Sequence, residues 1–260
     1  MGPRQLAHLF KMLTLWAKTS GTWINVALVL LGTGCGLLLR NQLSQTMRVV
    51  ITQAMGLTTI FIGLSMAQDL ANARAGGVEG VILALFSLAL GGVLGEWWQL
   101  EERLGLLGDW LKARVKGGSR FTEGFVASSL LFCIGPMSII GSLNNGLLGD
   151  STILVVKSTM DGLVSIALTG TYGMGVGFSV LTIVFYQGGL SLLASGLGQF
   201  IPDPTSSPSI LLVTGVGGIM LLGLGLNLLE VGKIRVASFL PALALGPFLS
   251  WLAQSWFAQT

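Results

Sequence analysis

Residues 25–66, NVALVLLGTGCGLLLRNQLSQTMRVVITQAMGLTTIFIGLSM, and residues 187–228, QGGLSLLASGLGQFIPDPTSSPSILLVTGVGGIMLLGLGLNL, align without a gap at an offset of 162 positions. Ten of the 42 aligned positions are identical, where a composition this rich in Leu and Gly would give about four by chance. The identical positions in the first copy are Leu28, Leu30, Leu31, Gly34, Gly36, Ser44, Thr52, Gly56, Gly63 and Leu64. The alignment predicts an internal repeat.

The composition is typical of an integral membrane protein. Hydrophobic residues make up 52% of the 260 residues and charged residues only 10%, with a mean hydropathy of +0.79. Soluble domains carry about 25% charged residues. We therefore expect an all-α integral membrane protein, surrounded by the lipid bilayer, with about eight transmembrane helices. The apolar stretches lie at residues 22–39, 47–68, 78–96, 121–143, 152–170, 174–198, 208–229 and 236–256.

Cationic residues concentrate in three loops, which lie on one side of the membrane if there are eight spans. Arg40 and Arg48 flank the first loop, five Lys or Arg residues lie within 97–120, and Lys233 and Arg235 precede the last span. The positive-inside rule makes this side cytoplasmic and leaves both termini outside. Three cations within residues 4–18 oppose that orientation, but the 3–4 spacing of their apolar neighbours predicts a helix lying on the membrane surface.

The number of crossings sets the relative orientation of the two copies. Five crossings separate their first spans, and an odd number inverts one copy relative to the other, as in many secondary transporters. The chain thus reads as two inverted three-helix repeats with two extra spans between them, the first of which contains a proline. The predicted divisions are a surface helix at 1–20, repeat 1 at 21–96, an amphipathic cytoplasmic linker helix at 97–120, a central two-span insert at 121–172 and repeat 2 at 173–260.

The residues available for chemistry argue against an enzyme. The single histidine, His8, lies outside the spans, and Cys35 and Cys133 lie inside apolar stretches, where they are expected to be packing residues. No Gly-Lys-Ser/Thr sequence marks a phosphate-binding loop. We expect no catalytic residues, no metal ion, no cofactor and no nucleic-acid partner.

Two charged residues lie within the predicted fifth span. Lys157 and Asp161 are four residues apart, so a helix places them on one face, where they can pair. A charge at the centre of a bilayer costs at least about 2.5–3.5 kcal/mol and normally faces a protein interior or a water-filled path. The pair therefore indicates handling of a substrate, an ion or a proton, or alternatively a structural ion pair. Ser165 adds a hydroxyl near the same face.

The preceding span contains a possible helix break. Pro136, after Gly135, removes a backbone hydrogen bond. A broken helix would expose carbonyl groups beside the charged pair, as in discontinuous transporter helices, whereas a simple kink would not. Pro136 and Ser138 are therefore candidate site residues.

Three further side chains complete the set of candidates. Asn25 and Gln187 align across the repeats, which suits either a site on a pseudo-twofold axis or a hydrogen bond that joins helices. Glu123, near the cytoplasmic face, could accept a proton or serve as a cap partner beside Arg120.

An ordered series of short sequences resembles a known family. They are Phe121-Thr-Glu-Gly-Phe, Ser129-Leu-Leu-Phe-Cys-Ile-Gly-Pro-Met, Gly146-Leu-Leu-Gly-Asp-Ser-Thr, Lys157-Ser-Thr-Met-Asp-Gly, Tyr186-Gln-Gly and Gly223-Leu-Gly-Leu-Asn-Leu-Leu. Over residues 20–256 the chain resembles the bacterial membrane-protein family known as domain of unknown function 554. The resemblance implies a multi-pass protein of the bacterial cytoplasmic (inner) membrane and supplies no substrate. The chain departs from the family in an N-terminal extension and in Gly135-Pro136, where Gly-Ala is more usual.

These features together predict a secondary transporter of a small solute or ion, coupled to protons or sodium, that works by alternating access between inverted repeats. A channel or passive pore is one alternative. A non-transporting assembly or regulatory subunit, docking through the helix at 97–116, is another. The spacing of Gly32 and Gly36, and of Gly91 and Gly95, also predicts a homodimer formed through a glycine-rich helix face.

Overall fold

A computed structural model describes residues 3–40, 42–197 and 208–257, with side chains from residue 16 onward except those of 136, 197 and 257. The described chain is helical apart from two paired two-residue strands, β1 (Arg74–Ala75) and β2 (Val78–Glu79). The helices are α1 (Pro3–Arg40), α2 (Gln45–Ala67), α3 (Asp69–Asn72), α4 (Gly80–Trp97), α5 (Leu100–Val115), α6 (Phe121–Cys133), α7 (Pro136–Leu148), α8 (Thr152–Tyr172), α9 (Gly175–Phe178), α10 (Val180–Ile183), a π-helix (Val184–Gly188), α11 (Gly189–Leu197), α12 (Pro208–Leu228), a 3-10 helix (Val236–Phe239) and α13 (Ala242–Phe257).

Seven helices in the described part of the chain are long and apolar enough to cross a membrane. They coincide with seven of the eight predicted stretches, including the one at 152–170. The eighth stretch corresponds to α6 and α7, which are bent by 62° relative to one another and make an eighth span if the pair is counted as one. The multi-spanning helical architecture predicted from the hydropathy is thus confirmed.

The bend between α6 and α7 has a local cause. Proline lacks an amide hydrogen and suits the first turn of a helix, while the residue before it is disfavoured in helical conformation. Gly135 is accordingly extended, with φ 161° and ψ 151°, and α7 begins at Pro136. The Ser138 hydroxyl donates to the Phe132 carbonyl across the break, at 3.0 Å. The predicted interruption is therefore a true helix break rather than a shallow kink.

The long helices form two groups. In the first, α1 packs in parallel along α8, and α7 and α11 complete the group. In the second, α2 packs along α12, with α4 and α13 beside them. The two groups meet where α2 contacts α8 and where α6 contacts helices of both. The first group contains every charged residue of the predicted fifth span.

The glycines expected to form a dimer interface are used within the chain. A Cβ atom on Gly32 or Gly36 would collide with the backbone of α8, at Gly162 and Ile166. Gly91 packs on Ala242, and Gly95 packs on Ser238. These small residues let helices of one protomer approach closely, as is usual in membranes. The premise of the dimer prediction was therefore wrong, since neither glycine pair is free for a second copy.

Helix α5 forms within the predicted linker. Its buried positions, Gly108 and Leu111, face α6, and the Thr122 hydroxyl donates to Asp109 at 2.6 Å. At the other end of the chain, residues 3–40 form one continuous helix, so the surface helix predicted at 4–18 runs on into the first span. Most of the side chains that motivated it precede Trp16 and lie outside the described ones.

Candidate functional site

Lys157 and Asp161 form a buried ion pair near the middle of α8. Their side chains lie one helical turn apart, and the Lys157 Nζ donates to the Asp161 Oδ2. Only 7% of Lys157 and 8% of Asp161 is exposed, whereas the other ion pairs in the described residues are at least partly solvent-accessible. The spacing-based prediction of a pair is confirmed, and its burial makes the pair an unusual one within a membrane span.

Asn25 and Gln187 join this pair from two other helices. The Asn25 Nδ2 donates to the Asp161 Oδ2 at 2.9 Å and to the Gln187 Oε1 at 3.1 Å. Both amides are fully buried. The two residues that align across the predicted repeat thus contact each other directly, and they do so at the charged pair. We refer to Asn25, Lys157, Asp161 and Gln187 as the central cluster.

Gln187 lies in an unusual stretch of helix. Val184–Gly188 is a five-residue π-helix inserted between α10 and α11. A π-helical turn holds one residue more than an α-helical turn, rotates the side chains that follow it, and is often found at functional sites. No sequence signal marked this insertion, which positions the Gln187 amide beside Asn25.

Several polar atoms around the central cluster have no hydrogen-bond partner among the described residues. They include the Asn25 Oδ1, the Gln187 Nε2 and the Thr22 Oγ1, all buried. Thr22 lies one turn before Asn25, and its methyl group is near Gly188. An unpaired buried polar group costs about 1–3 kcal/mol in stability. Such groups are uncommon in folded proteins, so these three require an explanation other than packing.

The helix break lies beside the central cluster. Both helices of the broken span pack against α8, and α7 also contacts the π-helix that carries Gln187. Cys133, the last residue of α6, is a buried free cysteine, which agrees with its interpretation as a packing residue. Pro136 opens α7, and Ser138 caps the break through the Phe132 carbonyl.

The remaining candidates divide between the cluster and the surface. The Ser165 hydroxyl donates to the Asp161 backbone carbonyl at 2.7 Å, so it bonds within α8 one turn after the pair. Glu123 lies in the first turn of α6, accepts a hydrogen bond from the Arg120 Nε at 2.9 Å and leaves 60% of its side chain exposed. It is not part of the central cluster, because ten residues of helix separate it from the break.

A cavity of about 950 Å³ opens at the end of the bundle where Arg120 and Glu123 lie. Along α6 it is lined by Glu123, Val126, Ala127 and Leu130, which recur at helical spacing on one face. Leu130 lies one turn before Cys133. Its other walls are Glu101, Arg120, Tyr172, Leu224, Asn227, Leu228, Glu230, Gly232, Lys233, Ile234, Arg235 and Val236. The cavity thus extends from the loop after α12 toward the helix break.

Burial shifts the ionisation of one carboxylate at this cavity. Glu101, in α5, accepts a hydrogen bond from the Ala237 backbone amide at 2.8 Å and so caps the 3-10 helix. Desolvation raises the pKa of Glu101 above its ordinary value of 4.5, although the hydrogen bond and the nearby Arg235 oppose the shift. Burial of the ionised Glu101 side chain therefore costs free energy of folding.

Hydrogen bonds join the helices at the opposite end of the bundle. The Asn145 amide of α7 accepts from the Gly21 backbone amide at 3.1 Å and donates to the Ala17 carbonyl at 2.9 Å. The Ser191 hydroxyl donates to the Ser142 carbonyl at 3.0 Å, joining α11 to α7. Asn145 was missed at the sequence level because it lies outside the repeat and carries no charge.

The second helix group contains a reciprocal set of glycine contacts. A Cβ atom on Gly63 would lie 2.8 Å from the Gly218 carbonyl oxygen, and one on Gly225 would lie 2.9 Å from the Gly56 carbonyl oxygen. Gly56 aligns with Gly218 in the sequence repeat, and Gly63 aligns with Gly225. The contact between Gly56 and Gly225 therefore has its counterpart in the contact between Gly63 and Gly218, and α2 and α12 run antiparallel.

This geometry defines a multi-spanning membrane protein with a buried polar cluster midway along its helices. The chain belongs to the family described as "Protein of unknown function (DUF554)", whose model matches residues 20–251.

Two proteins similar to this chain are "Uncharacterized membrane protein YdfK" of Bacillus subtilis and "Uncharacterized protein YqgA" of Escherichia coli. The first is 31% identical over 228 residues, which is 87% of this chain and 93% of the relative. The second is 30% identical over 245 residues, 92% of this chain and 99% of the relative. No solved structure matches. Among the described residues, no group of three or more His, Cys, Asp or Glu side chains could hold a metal ion.

Proposed function

We propose that this chain is a secondary transporter of a small solute or ion that works by alternating access. The observation that carries the proposal is the central cluster, which places a buried ion pair and unpartnered amide atoms at mid-helix beside a broken span. Charged and polar groups at this depth normally mark a substrate, ion or proton pathway. Broken helices build midplane sites in transporters, where the freed backbone groups bind solutes and ions.

Inverted repeats over 21–96 and 173–260 are part of this proposal. A twofold axis makes every contact occur twice. If residue i of one repeat contacts residue j of the other, the residues equivalent to i and j also contact each other. The two glycine contacts between α2 and α12 have this form, and Asn25 touches its own counterpart, Gln187. Antiparallel packing of α2 against α12 requires the axis to lie across the helices, in the plane of the membrane.

The arrangement of cavity and closed end supports a state that is open toward the cytoplasm. The cavity lies at the end that carries Arg120, Lys233 and Arg235, which the positive-inside rule assigns to the cytoplasm. The opposite end is held by the Asn145 and Ser191 hydrogen bonds. Alternating access would break these bonds and close the cavity.

The bacterial relatives support placement in the cytoplasmic membrane. Protons or sodium are the coupling ions that we propose. A homodimer remains a proposal, which would have to use a face other than Gly32/Gly36 or Gly91/Gly95. The molecular mass of the protein in mild detergent tests for a homodimer, and the mass of a monomer would contradict the homodimer.

A passive pore is the second candidate function. The Thr33 and Thr169 hydroxyls, on α1 and α8, are buried without partners. These hydroxyls continue the polar side chains of the central cluster along α1 and α8 toward the cytoplasm. A continuous aqueous path could follow them.

Thiol labelling separates these functions without knowledge of the substrate. In a background with Cys35→Ser and Cys133→Ser, Ala127→Cys places a thiol in the cavity and Ser142→Cys places one at the closed end. Leu57→Cys, on the exposed face of α2, is the control for lipid-facing positions. A membrane-impermeant methanethiosulfonate is added to the cytoplasmic side, and a fluorescent maleimide to the outside.

Alternating access predicts that Ala127→Cys reacts from the cytoplasm, that Ser142→Cys reacts slowly from outside, and that modifying the first suppresses the second. In a pore the two positions react independently. In a non-transporting subunit Ser142→Cys stays unreactive. Either of the last two results would contradict the proposal.

A further inference from the structure

The net charge of the central cluster restricts the ligand it can hold. Lys157 and Asp161 neutralise each other, and Asn25 and Gln187 are uncharged. A ligand with net charge would leave that charge uncompensated inside the membrane, where desolvation is costly. A ligand whose own charges sum to zero adds no such charge. The cluster therefore favours an electrically neutral solute or a zwitterion.

The unpartnered atoms define what that ligand must offer. The Asn25 Nδ2 uses its two hydrogens on Asp161 and Gln187, which leaves the Asn25 Oδ1 as a free acceptor. Gln187 uses its oxygen on Asn25, which leaves its Nε2 as a free donor. A complementary ligand must donate to one amide and accept from the other. The Thr22 hydroxyl, also unpartnered, can do either.

Resting on the transport function proposed above, we propose that the central cluster binds a small zwitterion that carries an ammonium and a carboxylate group, as a free amino acid does. The ammonium faces Asp161 and the Asn25 Oδ1. The carboxylate faces Lys157 and the Gln187 Nε2. Each charge of the protein thus exchanges its internal partner for a partner on the ligand, and the site stays neutral throughout.

This exchange also assigns a role to the ion pair when no ligand is bound. A carrier must return across its cycle without ligand, and two separated charges in low dielectric would oppose that step. Closure of Lys157 onto Asp161 removes the separated charges. The pair then serves as an internal substitute for the zwitterion, which explains why two groups that bind a ligand also bind each other.

Thermal unfolding of the purified full chain tests the ligand class. The probes are each of the twenty common amino acids, then acetate, methylammonium and acetamide, all at about 10 mM, since a ligand that binds only the folded state raises its stability. We expect at least one amino acid to raise the unfolding midpoint by about 3 °C or more. Acetate and methylammonium carry one charge each, acetamide carries none, and these three should have no effect.

The site is assigned with matched variants. Gln187→Met removes the free donor and should raise the apparent dissociation constant of the active amino acid at least about tenfold. Thr52→Val removes another buried hydroxyl. Thr52 lies in α2 and bonds to the Arg48 carbonyl of α2 and to Thr171 of α8, so this substitution should leave binding unchanged. A glycine-betaine probe, which keeps both charges but has no N–H donor, should bind more weakly than glycine if glycine is active.

Stabilisation by acetate, methylammonium or acetamide in place of the amino acids would contradict a zwitterionic ligand. The absence of any shift in the unfolding midpoint with all twenty amino acids would contradict it as well. Equal loss of binding in Gln187→Met and Thr52→Val would overturn the site. The thiol-labelling result is independent of these measurements. Alternating reactivity without amino-acid binding would reject the ligand class alone, and independent reactivity at both thiols would reject transport itself.

Discussion

The two antiparallel pairings between the proposed repeats are built in opposite ways. Where α2 meets α12, glycines bring the backbones into close contact, with Gly56 and Gly63 against Gly225 and Gly218. Where α1 meets the π-helix, Asn25 and Gln187 form one hydrogen bond and leave an acceptor and a donor unpartnered. Close packing of small residues fixes helices in a membrane. Unpaired buried polar groups weaken a fold, so their retention indicates a function other than stability.

The largest expected effect is at the central cluster. Asp161→Asn or Lys157→Met leaves an unpaired charge in the membrane interior and should lower the free energy of unfolding by about 3–5 kcal/mol. The double variant removes both charges, and the amide at position 161 can still accept from Asn25, so stability should return. Transport should not return if the pair handles the solute.

Stability and uptake, or a growth phenotype, are measured in all four forms of the protein. The exposed pair Arg120–Glu123 is the control, and Glu123→Gln should cost no more than about 1 kcal/mol. Full activity in the double variant would show that the cluster, like the glycine contacts, only holds helices together.

The next largest effect is at the glycine contacts. A Cβ atom at position 218 would lie 2.6 Å from the Gly63 carbonyl oxygen, so Gly218→Val should cost about 1–3 kcal/mol or more through overpacking. Gly34 and Gly196, aligned across the repeat, have nothing within 4 Å of such an atom.

Gly34→Ala should therefore be neutral or stabilising by up to about 1 kcal/mol, because alanine favours a helix over glycine. Thermal unfolding in detergent compares the two substitutions. Equal stability of Gly218→Val and Gly34→Ala would show that α2 and α12 are not closely packed at Gly218.

A smaller change in stability, together with weaker uptake, is expected at Gln187. Gln187→Met removes both a hydrogen bond to Asn25 and a donor that has no partner, so the two effects oppose each other. Stability should stay within about 1 kcal/mol of the unmodified protein. The same measurements of uptake and unfolding apply. A loss of several kcal/mol would make Gln187 a structural residue, equivalent in role to the glycines.

The smallest effect is at the cavity that opens near Arg120, where burial opposes the charge of Glu101. Because burial raises the pKa of folded Glu101 above 4.5, its penalty on stability is absent below the unfolded pKa and grows as the pH rises through the folded pKa. Glu101→Gln should therefore be about as stable as the unmodified protein at acidic pH and relatively more stable above the folded pKa.

Unfolding midpoints from pH 4 to 8 check this, with Glu102→Gln, in an exposed ion pair, as control. Parallel curves for Glu101→Gln and the unmodified protein would show that Glu101 carries no unfavourable burial. The unsatisfied polar groups of the central cluster would then be the main strained feature of the described structure.

Short-range features of the molecule were predictable. The spans follow from hydropathy, which each segment carries by itself, and the Lys157–Asp161 pair follows from helical spacing. The meeting of Asn25 with Gln187 was accessible only through the repeat, since 162 positions separate them. Glu123 was placed among the candidates because it is a carboxylate at the start of a span, and the structure leaves it at the surface.

Partners between helices were not predictable in the same way. The Gly32/Gly36 spacing indicates that some helix approaches closely, but it does not say which one, and α8 of the same chain takes the place that a second copy was expected to occupy. Asn145 gave no signal because an uncharged amide in an apolar stretch has many possible partners. The π-helix that turns Gln187 toward Asn25 likewise has no sequence pattern of its own.

The sequence by itself determined that this chain enters the membrane as about eight helices, that Pro136 either breaks or kinks one of them, and that a lysine and an aspartate share a face. Hydropathy, proline geometry and helical periodicity all act within a few turns of chain. The tertiary structure decided which surfaces meet. Close approach requires two complementary helix faces, and only their packing brings Asn25, Gln187 and the helix break to the same buried pair.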